Sequence, residues 1–594
     1  MASTGIMFWL KRCSGFLVFL ALCSPLSAVT YEVAQQHPQA RDDGPGTPEQ
    51  PWKTITAAAR KVRPGDVVLI RGGVYRERVL VQTSGALRKP IRFVAAPGER
   101  VLLTGADRLT DWQRADNERP IYRIAWPHRF IAWNPNMTHP GDEYHRVIGR
   151  CEQVIVNGYL LRQVLSTNQL APGSFCADVA GQALLVWDTA NGELNKSCVE
   201  ASVRQEIFRA EGDDIQLQGL RFRYAANMAQ HGAVVLAGRR DVMEDCVVES
   251  MNSSGAAFTG EDQVVRRCVF RENGQLGFGA GRAHRLLFTE CLVENNNTKG
   301  FDRGWEAGGD KLVLCRDAVL ERSRFLRNHG SGIWFDIGNT NCTVRQCLIA
   351  DNEDAGIFYE ISFRLHAHDN VIVGNGFAAT AGAWGAQAGI ALSSSPGCVV
   401  ERNVIAGNRE GFNFREQLRT TPTIENRDQV AVWNHDQLIR QNLIVFNRDA
   451  QVWGWFDVKD NRHWPATNAP SPQASSPAAS RPADLAATYV AGTSAGQPQN
   501  LTLDSLRLRF EKNVYFAGPG QGWFGWGPTW ARHARYPGLE AFQSALGIDT
   551  GSRCADPGFA NLSQLDLRVN AGALSSLQGC YPRAPVPGVL LGAF

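Results

Sequence analysis

A repeat of roughly 22 to 24 residues limits this chain more than any other feature. Cys246-Val-Val, Cys268-Val-Phe and Cys291-Leu-Val recur at nearly equal intervals. Ser323-Arg-Phe, Cys347-Leu-Ile, Asn370-Val-Ile, Asn403-Val-Ile and Asn442-Leu-Ile continue the series. A second run in each unit begins with glycine: GAAFT from Gly255, GFGAG from Gly277, GIWFD from Gly332, GIFYE from Gly356, GIALS from Gly389 and GFNFR from Gly411. No amphipathic helix fits inside so short a unit. Two or three strands with turns between them do, and such units stack into a solenoid. The repeat therefore predicts an all-β chain, a right-handed parallel β-helix. Equivalent residues stack in ladders inside the coil, so Cys246, Cys268, Cys291 and Cys347 read as buried small hydrophobes. The longer units carry an insertion at a turn. Insertions of that kind build the walls of a groove.

Composition fits. Glycine makes up 58 of 594 residues with no G-X-Y period, as a chain of many turns requires. Lys plus Arg is 61 and Asp plus Glu is 58, a balance that argues against a nucleic-acid binder. Lys11 and Arg12 precede the apolar run Gly15 to Cys23, and small residues follow up to Ala28, the layout of a secretory signal peptide. Leu22 before Cys23 argues against lipidation. A secreted or periplasmic protein is expected, with no membrane anchor once the signal is removed. Of 14 cysteines, 12 lie beyond that signal and none forms a C-x-x-C pair. Cys554 and Cys580 are close enough in sequence to bridge.

The chain divides into a signal peptide (1–28), a cap with the first coils (29–104), an inserted β-rich module (105–200), central coils with a groove (201–464), a Pro/Ala/Ser-rich linker or loop (465–500) and C-terminal coils with a tail (501–594). In the cap, Ile55, Ala58, Ala59 and Val62 mark a short amphipathic helix that plugs the open end. In the module, Val154 to Leu161 and Ala183 to Trp187 alternate like the strands of a small β-sandwich. The cap resembles that of pectate-lyase-like β-helix proteins. Residues 555–569 resemble their final coil.

The coil serves as a ruler for the acids. Asp336 ends GIWFD and Glu360 ends GIFYE, one repeat apart, so they take the same place on adjacent rungs. Parallel strands lie about 4.7–4.9 Å apart. Two carboxylates that close raise the pKa of one of them. Retaining glycosidases use two carboxyl groups about 5–5.5 Å apart, one as nucleophile and one as acid/base. Glu306 precedes Asp336 by one coil plus a small insertion and adds a third acid. Trp305, Trp334 and Tyr359 supply aromatic faces suited to sugar rings. His329, His366 and His368 fall near the same coils, each also readable as a turn residue. Arg415 and Glu416 lie two coils on. The plainer reading of the acid pair is a solvated or cation-binding stack.

The stretches WEAGG, NHGSGIWFD and GIFYEIS, over about 300–376, resemble the β-helical β-xylosidases of glycoside hydrolase family 120. The resemblance implies a β-helix with an associated β-sandwich and a retaining mechanism. It matches Asp336 to the nucleophile, Glu360 to the acid/base and Glu306 to an additional active-site carboxylate. No cofactor or metal is implied, and the expected partner is a carbohydrate.

Two other readings compete. A polysaccharide lyase on a uronic-acid polymer would use Lys311, Asp310 or Arg415 and would bring in Ca²⁺, but no D-x-[DN]-x-[DN]-G loop occurs. A non-catalytic carbohydrate-binding solenoid would form no product. HExxH and P-loop motifs are absent. Trp305, Trp334, Trp384, Trp433, Trp453 and Trp455 fall in the coils that carry or follow the acids, as a sugar groove would use them.

Overall fold

The computed structural model describes residues 28–130, 149–188, 193–379, 387–425, 429–458, 460–466, 496, 498, 500–528 and 533–594. The expected signal peptide, Trp384 and nearly all of the Pro/Ala/Ser-rich segment lie outside the described residues.

Three sheets of 13 strands run the length of the chain as the faces of one coil. Their pairing is parallel throughout, except for the edge strand Ala534–Tyr536. The first sheet begins at Thr30–Val33, the second at Val79–Val81 and the third at Gly73–Tyr75. The coil is a right-handed parallel β-helix, the hand that parallel connections adopt.

Strand alternation fills the coil. Every second side chain points in, and Phe258, Phe270, Phe278, Phe288 and Phe325 form one continuous interior column. At the turn between the third and second sheets, Asn273, Asn296, Asn328, Asn352, Asn375, Asn408 and Asn447 stack. Each amide from Asn273 to Asn408 donates to the asparagine oxygen on the next rung, and Asn447 donates to Gln451, which saturates polar groups that have no access to water. This ladder explains the glycines that open the second run. A Cβ on Gly332 would lie 2.8 Å from the Asn352 amide nitrogen and 2.9 Å from the Gly356 carbonyl. The cysteine and asparagine series forms a second ladder. Cys268 N–H meets Cys291 Sγ, Cys291 N–H meets Ser323 Oγ, and Cys347 N–H meets Asn370 Oδ1.

Both ends are closed. A helix at Ile55–Lys61, capped by Thr54, buries Ile55, Ala58 and Ala59 against the first coils. At the other end, Phe542 of the helix Leu539–Leu546 stacks on Phe524 with centroids 4.5 Å apart. The inserted residues form a four-stranded and a five-stranded sheet around a separate core that includes Trp112, Trp126, Phe175 and Leu184.

Two expectations need correction. The tail does not add a final coil. Leu567, Val569, Leu577, Cys580 and Val586 pack against Leu348, Val371, Val404, Leu443 and Val514, on the outside of the third sheet. The cause is local. On earlier rungs that outer face carries Arg221, Glu249 and Arg271, but from Leu348 onward it is apolar and must be covered. Cys554 and Cys580 do not bridge either. Both are free, and Cys580 sits inside that apolar layer with its thiol donating to the Lys512 carbonyl.

Candidate active site

The acids sit on the second sheet. The strands Gly308–Val313, Ile333–Asp336, Ile357–Glu360, Ala388–Ser393, Glu410–Gln417 and Ala450–Asp457 succeed one another there. Their register pairs Leu312 with Phe335 and Val313 with Asp336. It then pairs Trp334 with Phe358 and Phe335 with Tyr359, leaving Asp336 and Glu360 at matching strand ends. Glu360 aligns with Ser393, Ser393 with Arg415, and Arg415 with Trp455. Alternation turns Trp334, Asp336, Phe358 and Glu360 outward. Trp334 and Phe358 stack face to face at 5.4 Å beside the acids.

Cations hold the acids. Lys311 Nζ lies 2.9 Å from Asp336 Oδ2 and 3.3 Å from Glu306 Oε1. Arg419 Nη1 donates to Glu360 Oε1 at 2.8 Å. Arg419 comes from a hairpin, Arg419–Pro422 paired with Gln429–Val432, that is inserted after the strand bearing Arg415. Pro422 folds back onto Gly338, just beyond Asp336, where φ is +66° and a Cβ would strike the Pro422 carbonyl at 2.3 Å. The hairpin thus runs over the acid rungs, and Asp336 and Glu360 are only 8% and 5% exposed.

The electrostatics differ between the two acids. Burial pushes the Asp336 carboxyl up; Lys311 opposes this and the Glu360 charge adds to it. Burial also works against Glu360, but Arg419 and Arg415 outweigh it and hold that carboxyl below the usual range. Lys311 stays charged: burial disfavours its charge, while Asp336 and Glu306 together raise it.

Several of the residues expected at the site lie elsewhere. Tyr359 points into the coil, packs on Phe335 and donates its hydroxyl to the Phe363 carbonyl, because the odd positions of Ile333–Asp336 and Ile357–Glu360 face inward. Glu416 is also an inward position. It is buried against Arg462 at 2.6 Å, and burial raises its carboxyl to about 7. His366 and His368 belong to the first sheet, on strand His366–His368, and pair with Glu401 and Asp369. His329 lies in the turn before Ile333, at the opposite strand end from Asp336, bonded to Glu353 and Asn295. Trp305 stacks on Phe301 in the loop that delivers Glu306. Asp310, drafted for the lyase reading, is an inward position that accepts from the Trp334 N–H.

Two residues at the acids have no glycosidase role by sequence alone. Lys311 had a findable signal, because its strand position has the same outward parity as Trp334. Arg419 had an indirect one: the interval from Asn403 to Asn442 exceeds one coil and marks an insertion.

A family model described as "Right handed beta helix region" matches residues 207–405. "Uncharacterized protein YwoF" of Bacillus subtilis (strain 168) is 36% identical over 87 residues, 15% of this chain. The chain spans 18% of the length of that curated relative. The solved complex of XylC with xylose is similar over 89% of this chain and 87% of its own, with a TM-score of 0.62 and 18% identity. A mannuronic acid specific polysaccharide family 6 lyase from human gut microbiota covers 93% of this chain and 96% of its own, with a TM-score of 0.44 and 10% identity. At such identity the likeness to XylC speaks to the fold and leaves the chemistry to the site. The chain is a right-handed parallel β-helix protein, and its fold resembles that of XylC.

Proposed function

We propose that this protein is a retaining glycoside hydrolase acting on an oligo- or polysaccharide. The observation that carries the reading is the acid pair: two buried carboxyl groups on adjacent rungs, beside a Trp334–Phe358 stack. Rung spacing of about 4.7–4.9 Å suits the retaining geometry and falls short of the roughly 6.5–9.5 Å that an inverting enzyme needs for its water.

In this mechanism Asp336 attacks the anomeric carbon, and the glycosidic bond breaks as the leaving oxygen takes the Glu360 proton. Glu360 then removes a proton from water. That water attacks the anomeric carbon and releases the Asp336 carboxylate. Arg419 donates to Glu360 Oε1, and the proton is carried on the other carboxyl oxygen. No step uses a metal or cofactor. The signal-like run up to Ala28 and the carbohydrate chemistry fit a secreted or periplasmic enzyme. No helix among the described residues is long and apolar enough to cross a membrane.

Azide rescue of Asp336→Gly, giving a glycosyl azide of inverted configuration, tests the assignment. Full activity of Asp336→Asn on every glycoside tried would end it. One observation favours the reverse assignment, with Glu360 attacking: Arg419 and Arg415 keep Glu360 charged in the free protein. Rescue of Glu360→Gly with an inverted product would select that alternative. A lyase would instead raise absorbance in the unsaturated-uronate band and lose activity in EDTA.

A further inference from the structure

We propose that Lys311 is a positioning residue for this reaction: it clamps Asp336 Oδ2 and so leaves Oδ1 as the attacking oxygen. The proposal rests on the reading of Asp336 as the nucleophile.

Lys311 stands beside Trp334 in the strand register, one rung before Asp336 and two positions back along the strand. From there its four-carbon stem crosses the Trp334 ring, with Nζ 4.1 Å from the centroid, and ends between two carboxylates. Its side chain is 8% exposed. A compact ammonium with three donors can serve Asp336 and Glu306 at once, which a planar guanidinium fits less well. Glu306 thus anchors the lysine.

The two Asp336 oxygens are unequal as a result. Oδ2 takes the charged contact. Oδ1 is buried and, among the described residues, has no hydrogen-bond partner. A buried carboxylate oxygen without a donor is costly. It is also the more nucleophilic of the two, since no proton donor shares its lone pairs. Fixing one oxygen also fixes the carboxylate plane, which selects a single approach to the anomeric carbon.

The groups facing Asp336 are Lys311 and Glu306 from the preceding rung and its loop, Glu360 from the next rung, and Arg419 from the hairpin. Removing the lysine charge leaves the two glutamates opposed only by Arg419 and Arg415. Asp336 then holds its proton to higher pH, and the acidic limb of kcat/KM moves up.

The test uses the full chain and an aryl glycoside that it turns over. Lys311→Met is expected to lower kcat about 10²-fold and to shift the acidic limb up by about one unit or more. Lys311→Arg, which restores charge, returns the limb toward its original position while kcat stays reduced. An unmoved limb in Lys311→Met overturns the proposal. If that variant fails to fold, Lys311→Gln keeps a donor on Oδ2 without the charge and must still move the limb; an unmoved limb there overturns it equally. A covalent glycosyl adduct on Asp336 of the unaltered protein, together with an unmoved limb, removes only the role of Lys311. Absence of that adduct removes the nucleophile reading itself.

Discussion

The outer faces of the first and second sheets share one rung spacing and follow opposite charge rules. On the first sheet, opposite charges alternate from rung to rung. Glu244 meets Arg266 at 2.7 Å, Glu321 meets Arg345 at 2.8 Å and Glu401 meets Arg440 at 2.8 Å. Those arginines are 42–45% exposed. On the second sheet, Asp336 and Glu360 stack like on like and are buried. Their neutralising charges come from the side, Lys311 on the preceding rung and Arg419 on an inserted hairpin. The first arrangement is what a solenoid adopts to cover its surface. The second works against stability, and under the proposed function it persists because the reaction requires it.

This contrast can be broken in order of effect. Asp336→Asn is expected to lower kcat/KM at least about 10³-fold. The same change relieves the like-charge stack, so the melting temperature should hold or rise; a large loss of stability would make Asp336 a structural residue. Glu360→Gln is expected to cost about 10²–10⁴-fold on glycosides with poor leaving groups. It should cost far less on activated aryl glycosides, which need no proton. An equal loss on both would remove Glu360 from the acid role. Arg419→Met should move the basic limb of kcat/KM up. The sign follows from the contact: Arg419 and Arg415 hold Glu360 low, and without Arg419 the carboxyl keeps its proton to higher pH. A basic limb that stays in place or moves down would contradict this. On the first sheet, Glu244→Gln should leave activity unchanged and cost about 1 kcal/mol or less, as half-exposed pairs do. Chemical denaturation of that variant measures the cost.

The parts of this contrast that follow from periodicity were legible in the sequence. The glycine-led runs and the Cys/Asn series mark equivalent places in a coil, and the one-repeat offset between Asp336 and Glu360 already stacks them. The period does not say which sheet a residue joins or which cations flank it. His366 and His368 share the coils of the acids yet occupy another face, because a turn separates them from the Glu360 strand. Tyr359 was readable as inward, since it alternates with Glu360 as Phe335 does with Asp336. Arg419 comes from an insertion, where the repeat offers no register at all. The tail escapes the repeat because its partner is the outer face of the third sheet. The switch there from Arg and Glu to Leu and Val emerges only once rungs are aligned.

The central claim is that Asp336 forms a covalent bond with the sugar. Incubation with 2-deoxy-2-fluoro glycosides that have activated leaving groups slows hydrolysis of the glycosyl ester enough to weigh it. Peptide mass spectrometry then locates the added sugar. One glycosyl unit is expected on the peptide that carries Asp336 and none on the peptide that carries Glu360. A unit on Glu360, or unsaturated products without any adduct, would contradict it.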